Sequence, residues 1–92
     1  MEKTLSDYRN EIDGIDEQIV ALFCRRMEIC EQIGKWKLAH GVPVSDPGRE
    51  NEKLERVSSL AGERFAPYAR EVCEKIMECS RAYQEKLSGE TL

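Results

Sequence analysis

Arg26, Cys30, Ile33 and Lys37 stand at i, i+4, i+7 and i+11, offsets that fall within about 60° of one another on an α-helix. One helical face therefore presents two cations separated by an uncharged stretch. From this helix alone two readings stay open: surface cations with stems along apolar neighbours, or paired heads that grip an anion. Further along, the stripe Cys73, Met77, Ser80, Gln84 turns polar. An inward hydroxyl and amide need partners, which Arg26, Lys37 or a bound group would supply; a frayed helix end would leave them in water. Arg9 precedes Arg26 by seventeen residues, about 26 Å along a helix, so one chain cannot close both on one small molecule. In an antiparallel pair of such helices, Arg9 of one copy is carried toward the Arg26–Lys37 region of the other.

Three cations of this kind suit a small di-anion such as a dicarboxylate, because Arg binds carboxylates in bidentate fashion and Lys adds a mobile point charge. Asp46, Arg49 and Glu50, in the run Ser45-Asp46-Pro47-Gly48-Arg49-Glu50, have two open readings. Asp46 is an N-cap candidate and Glu50 favours a helix dipole; alternatively Glu50 accepts a hydrogen bond from a substrate hydroxyl while Arg49 restrains its neighbours. The only histidine, His40, sits beside the helix-ending Gly41 and is expected in solvent. The sequence offers no serine–histidine–acid set, glycine-rich phosphate cradle or metal cluster. The expected chemistry thus uses no covalent nucleophile, no cofactor and no metal.

These residues must be positioned by helices. Leu5, Tyr8, Ile12, Ile15, Ile19, Leu22, Ile29, Ile33 and Trp36 recur at helical spacing. Thr4 or Ser6 is the candidate N-cap, and Gly41 followed by Pro43 marks the end. Residues 1–23 hold six acids and two bases, and residues 24–40 two acids and four bases, a polarity that suits the helix macrodipole. Gly14 and Gly34 interrupt the stripe at about 1 kcal/mol each. A second helix is expected from Asp46-Pro47 through Leu54, Val57 and Leu60 to Gly62, with aspartate as cap and proline at the first position. A third opens near Pro67 and carries Tyr68, Val72, Cys73, Ile76, Met77, Ser80 and Gln84 until Ser88-Gly89. The fold class is all-α, a single helical domain over residues 1–92.

A helix from Leu5 to His40 is about 54 Å long, roughly twice the width of a compact domain of this size. Two shorter helices leave much of its apolar stripe uncovered, and such patches mark association surfaces. The expectation is an intertwined homodimer built on paired long helices.

Composition bounds the rest. The chain has 92 residues, 40% of them hydrophobic, with 14 Lys plus Arg against 18 Asp plus Glu and a net charge of -4. A nucleic-acid backbone binder needs a surplus of cations, so no nucleic-acid partner is expected. The longest apolar run, Ile19 to Cys24, is six residues where a membrane span needs about 20, so no membrane partner is expected. The acidic start Met1-Glu2-Lys3-Thr4-Leu5-Ser6-Asp7 argues against export. Cys24, Cys30, Cys73 and Cys79 fall in two pairs spaced six apart, unlike a zinc site. They are expected as small buried or half-buried fillers in a reducing cytoplasm.

Taken in order, Arg9-(x)2-Ile12-(x)3-Asp16, Leu22-(x)2-Arg25-Arg26, Ile33-Gly34-Lys35-Trp36-Lys37, Pro43 to Glu50, and Ser80-Arg81-Ala82-Tyr83-Gln84 resemble the all-α chorismate mutase family from about Leu5 to Leu87. The resemblance implies three helices, the first very long, intertwined in a dimer with two equivalent active sites. It implies that Arg26 and the partner's Arg9 bind carboxylates, and that Lys37 reaches both a carboxylate and the substrate's ether oxygen. Gln84 matches the other ether-oxygen donor and Ser80 a hydroxyl that assists carboxylate binding. Glu50 resembles the acceptor for the ring hydroxyl, with Asp46 at the same end and Arg49 organising the charges. The short connection after the second helix, Gly48 and Trp36 depart from or lie outside the motif, and none touches the implied site.

The implied reaction is the concerted [3,3] rearrangement of chorismate to prephenate, which needs no nucleophile. Its demands are restraint of a flexible side chain and stabilisation of charge on the ether oxygen. Two alternatives remain at the level of sequence: an isochorismate–pyruvate lyase on the same scaffold, and a non-catalytic regulatory helical dimer.

Overall fold

The computed structural model describes residues 2–91. Three α-helices make up the ordered elements: α1 (Leu5–His40), α2 (Pro47–Ala61) and α3 (Ala66–Thr91). Local chemistry sets their ends. At the start of α1, Thr4 Oγ1 accepts from the Asp7 N–H at 3.2 Å, and Asp7 Oδ2 accepts from the Thr4 N–H at 2.9 Å, a reciprocal capping box. The Thr4 backbone N–H, and secondarily its hydroxyl, hold the Asp7 carboxyl below the usual aspartate value. At the far end Gly41 adopts φ 66°, ψ 28°. Its left-handed backbone lets the Val42 N–H return to the Lys37 carbonyl at 2.9 Å.

Asp46 caps α2 by accepting from the Arg49 N–H at 3.1 Å, with Pro47 at the first helical position. Gly62, at φ 80°, ends α2, and a tight turn in which the Ala66 N–H donates to the Gly62 carbonyl at 2.9 Å leads into α3. That last helix runs past the Ser88-Gly89 stop to Thr91. A lone glycine costs only about 1 kcal/mol in a helix, too little to end one by itself.

α3 packs against both other helices, whereas α1 and α2 do not pack on each other. The buried positions are Cys30 and Gly34 of α1, Leu54 of α2, and Met77, Ser80 and Gln84 of α3, all in the stretch where α3 meets its neighbours. The first half of α1 has no cover: every residue from Leu5 to Leu22 is exposed, including Ile12, Ile15 and Ile19 at 50% or more. The radius of gyration is 17.0 Å and the extents are 60 × 27 × 14 Å, against about 12 Å for a compact chain of this length. No helix among the described residues is long and apolar enough to cross a membrane.

The cysteines divide. Cys30 is buried and Cys73 and Cys79 are half-buried, but Cys24 is exposed. It sits on the part of α1 that α3 has not yet reached, so the filler reading fails for it within one chain.

Candidate active site

Each helix turns one strip of side chains toward a common cleft of about 420 Å³. α1 contributes Arg26, Cys30, Ile33 and Lys37; α2 contributes Asp46, Arg49, Glu50 and Lys53; α3 contributes Met77, Ser80, Arg81 and Gln84. The α2 and α3 strips share the spacing i, i+3, i+4, i+7, one face of each helix. Five cations and two carboxylates line the cleft, so it is strongly positive in a chain whose net charge is -4.

Arg26 is half-buried and donates from Nη1 to Ser80 Oγ at 2.5 Å. The hydroxyl of Ser80, 7% exposed, donates a hydrogen bond to the Ile76 carbonyl at 2.9 Å. Its oxygen is therefore free to accept, and it fixes the guanidinium at the cleft floor. Gln84 is 6% exposed and donates from Nε2 to the Cys30 carbonyl at 2.8 Å. A primary amide has two N–H groups, so one remains for another acceptor. Gly34 makes this placement possible, since a Cβ there would lie 3.0 Å from Gln84 Cγ.

Lys37 Nζ donates to the Val44 carbonyl at 2.9 Å, which ties the α1–α2 connection over the cleft. An ammonium has three donors, so this contact also leaves hydrogen-bonding capacity. On α2, the Arg49 guanidinium lies 3.4 Å from Glu52 and is exposed. Glu50, the neighbour of Arg49 in the chain, is ion-paired with Arg81 of α3. Arg49 reaches toward the next turn of its own helix, while Arg81 faces Glu50 across the α2–α3 contact.

Arg26, Lys37, Asp46, Arg49, Glu50, Ser80 and Gln84 are thus brought together. Arg9 is not; it lies in the exposed first half of α1, outside the cleft. His40 is also outside, exposed, with its ring stacked on Trp36 at a centroid distance of 4.0 Å. Two lining cations escaped the sequence reading, Lys53 and Arg81. Lys53 was reachable from the same-face rule, standing four residues after Arg49 and seven after Asp46. Arg81 needed knowledge that α3 presents that edge to α2.

The family described as chorismate mutase type II matches residues 8–85. The chain belongs to the chorismate mutase type II family. A protein named chorismate mutase from Methanocaldococcus jannaschii is 27% identical over 93 residues, covering 99% of this chain and 94% of that protein. The bifunctional chorismate mutase/prephenate dehydratase of Escherichia coli is 35% identical over 88 residues, 94% of this chain and 23% of its own length. The T-protein of Haemophilus influenzae is 32% identical over 92 residues, 98% of this chain and 24% of its own. The chain thus spans about a quarter of these two longer relatives. A solved structure of a conserved hypothetical protein from Pyrococcus furiosus superposes with a TM-score of 0.76 at 40% identity, covering 91% of this chain and 99% of that one. The all-α chorismate mutase resemblance and the three-helix fold class read from the sequence agree with these matches.

Proposed function

We propose that the chain is a chorismate mutase that acts as a homodimer with two shared active sites. The observation that carries this reading is the convergence of Arg26, Lys37, Ser80 and Gln84 on one cationic cleft, in a chorismate mutase type II chain whose first helix is half uncovered. Arg26, fixed by Ser80, binds one carboxylate of chorismate. Lys37 serves the other carboxylate and the ether oxygen through its remaining N–H groups, and the spare Gln84 N–H points its donor capacity at the same ether oxygen. Glu50 accepts from the ring hydroxyl, with Asp46 at that end of the cleft.

The rearrangement is intramolecular: the C–O bond of the enolpyruvyl ether breaks as a C–C bond to the ring forms, and no proton or group leaves. Electron density grows on the ether oxygen as the C–O bond lengthens. Fixed donors aimed at that atom stabilise the transition state more than the ground state. Ionic contacts to both carboxylates hold the side chain folded over the ring, which removes rotational freedom before the chemical step.

The second subunit supplies what the first lacks. An antiparallel partner α1 covers the apolar residues Leu5 to Leu22 and brings the partner's Arg9 to the cleft. If that arginine stands abreast of residues 26–37, the two-fold axis crosses α1 near residue 20, by the equal spacing of antiparallel helices about their dyad. We place the enzyme in the cytoplasm, where its four thiols stay reduced.

The test is to follow chorismate loss by ultraviolet absorbance and prephenate by product analysis, alongside the solution mass. The reading requires prephenate and a dimer. Salicylate plus pyruvate from isochorismate, with chorismate untouched, would transfer the protein to lyase chemistry.

A further inference from the structure

Glu50 occupies the first turn of α2 and has a side chain that is 24% exposed; its ion-pair partner Arg81, on α3, is 35% exposed. Both line the cleft. A carboxylate at this place is an electrostatic problem, because the proposed guest carries two negative charges and like charges in a partly desolvated cleft repel. Arg81 answers it. The guanidinium takes Glu50 Oε1 and leaves the second carboxylate oxygen for another hydrogen bond. It also neutralises the charge that would otherwise oppose substrate entry.

Among the described residues no other side chain is ion-paired with Glu50. Arg49, the adjacent cation, points to Glu52. Lys53, one turn further along α2, lines the cleft without an ion pair among the contacts made by the described residues. The Glu50–Arg81 pair joins α2 to α3, so it fixes the aim of a carboxylate that would otherwise sample several rotamers from a surface helix.

We propose that Arg81 is a positioning residue for substrate binding: it holds and neutralises Glu50 so that the carboxylate accepts from the ring hydroxyl without repelling the dianion. The inference rests on the chorismate mutase reading above. A purely structural staple between α2 and α3 would instead change stability and leave the Michaelis constant alone.

The experiment is a kinetic double-mutant cycle on the intact protein with chorismate as substrate, using Arg81→Met, Arg81→Lys, Glu50→Gln and the double variant Arg81→Met/Glu50→Gln. Arg81→Met is expected to raise KM by about tenfold or more with kcat changed by less than about threefold, since the interaction is made in ground and transition states alike. Arg81→Lys restores most of the loss by keeping the charge. In the Glu50→Gln background, Arg81→Met changes KM by less than about twofold, because the charge it compensated is gone.

A KM within twofold of wild type for Arg81→Met, or full additivity in the cycle, overturns the proposal. Should Arg81→Met fail to fold, Arg81→Gln keeps a polar stem without the charge and is read by the same criteria. Wild-type protein that is folded and dimeric but inert toward chorismate would remove the proposed function itself; active wild type with an indifferent Arg81→Met removes this inference alone.

Discussion

A Cβ on Gly34 would stand 3.0 Å from Cγ of Gln84, and the close approach that the glycine permits is what brings the Gln84 amide to the Cys30 carbonyl at 2.8 Å. A glycine near the C-terminal end of α1 therefore sets the position of a group on α3.

Gly34→Ala separates stability from catalysis. Alanine is favoured over glycine in a helix interior by about 1 kcal/mol, which offsets part of the crowding. Gln84 is buried and tethered, so it must shift by a few tenths of an ångström, and small misplacements of catalytic groups are costly. The expected result is a thermal midpoint within about 5 °C of wild type and a kcat reduced by about tenfold. Unchanged turnover would show that the amide tolerates displacement and is not held for catalysis.

Lys37→Ala and Gln84→Ala each remove a donor that the proposed mechanism aims at the ether oxygen. Loss of one preorganised donor costs on the order of 3–4 kcal/mol of barrier, so each variant is expected to lose at least about 100-fold in kcat with its circular dichroism spectrum intact. Turnover within tenfold of wild type would defeat the assignment for that residue. Because the Gln84 amide is a neutral donor, the wild-type rate is expected to need no acidic medium. Gln84→Glu should import such a need, since a carboxylate donates only when protonated. A pH profile of this variant with no rise toward acid would contradict the donor role.

Much of the fold was legible because its signals are local. The Thr4 cap, the Gly41 stop and the Asp46-Pro47 start are each decided within about one turn of backbone, and α1 and α2 end where those residues place them. The α1 strip Arg26–Lys37 followed from helical spacing alone. What escaped depends on distant chain segments. Arg81 meets Glu50 across thirty-one positions, and no spacing rule reports such a contact. The cost of Gly34 was visible in the sequence, but its purpose was not, because the neighbour it accommodates lies on α3. Cys24 fits a filler only where something covers it, and one chain provides no cover.

Asp7 gives a pH prediction for the helix start. Its carboxyl is held below the usual aspartate value by the Thr4 backbone N–H first and the Thr4 hydroxyl second. A lowered folded-state value means that the contribution is present above the ordinary aspartate range and is lost as pH falls through the lower folded value. Amide exchange in the first turn of α1, followed by NMR, should therefore hold steady at neutral pH and rise relative to the middle of α1 below about pH 4. Asp7→Asn, which removes the titrating carboxyl, should erase that step, and a step that survives in the variant would separate it from Asp7.

The proposed sharing of each active site between two subunits is tested most directly by subunit mixing. Arg9→Ala and Arg26→Ala should each be nearly inactive as pure dimers, because every site then lacks one carboxylate-binding arginine. When the two variants are unfolded together and refolded at equal amounts, half the dimers are mixed. Each mixed dimer has one site with both arginines and one with neither, as two-fold symmetry requires. Recovery to about a quarter of wild-type specific activity is expected if the sites are shared. A mixture no more active than its inactive parents, with exchange of subunits verified by mass, would mean that Arg9 does not reach the partner's cleft.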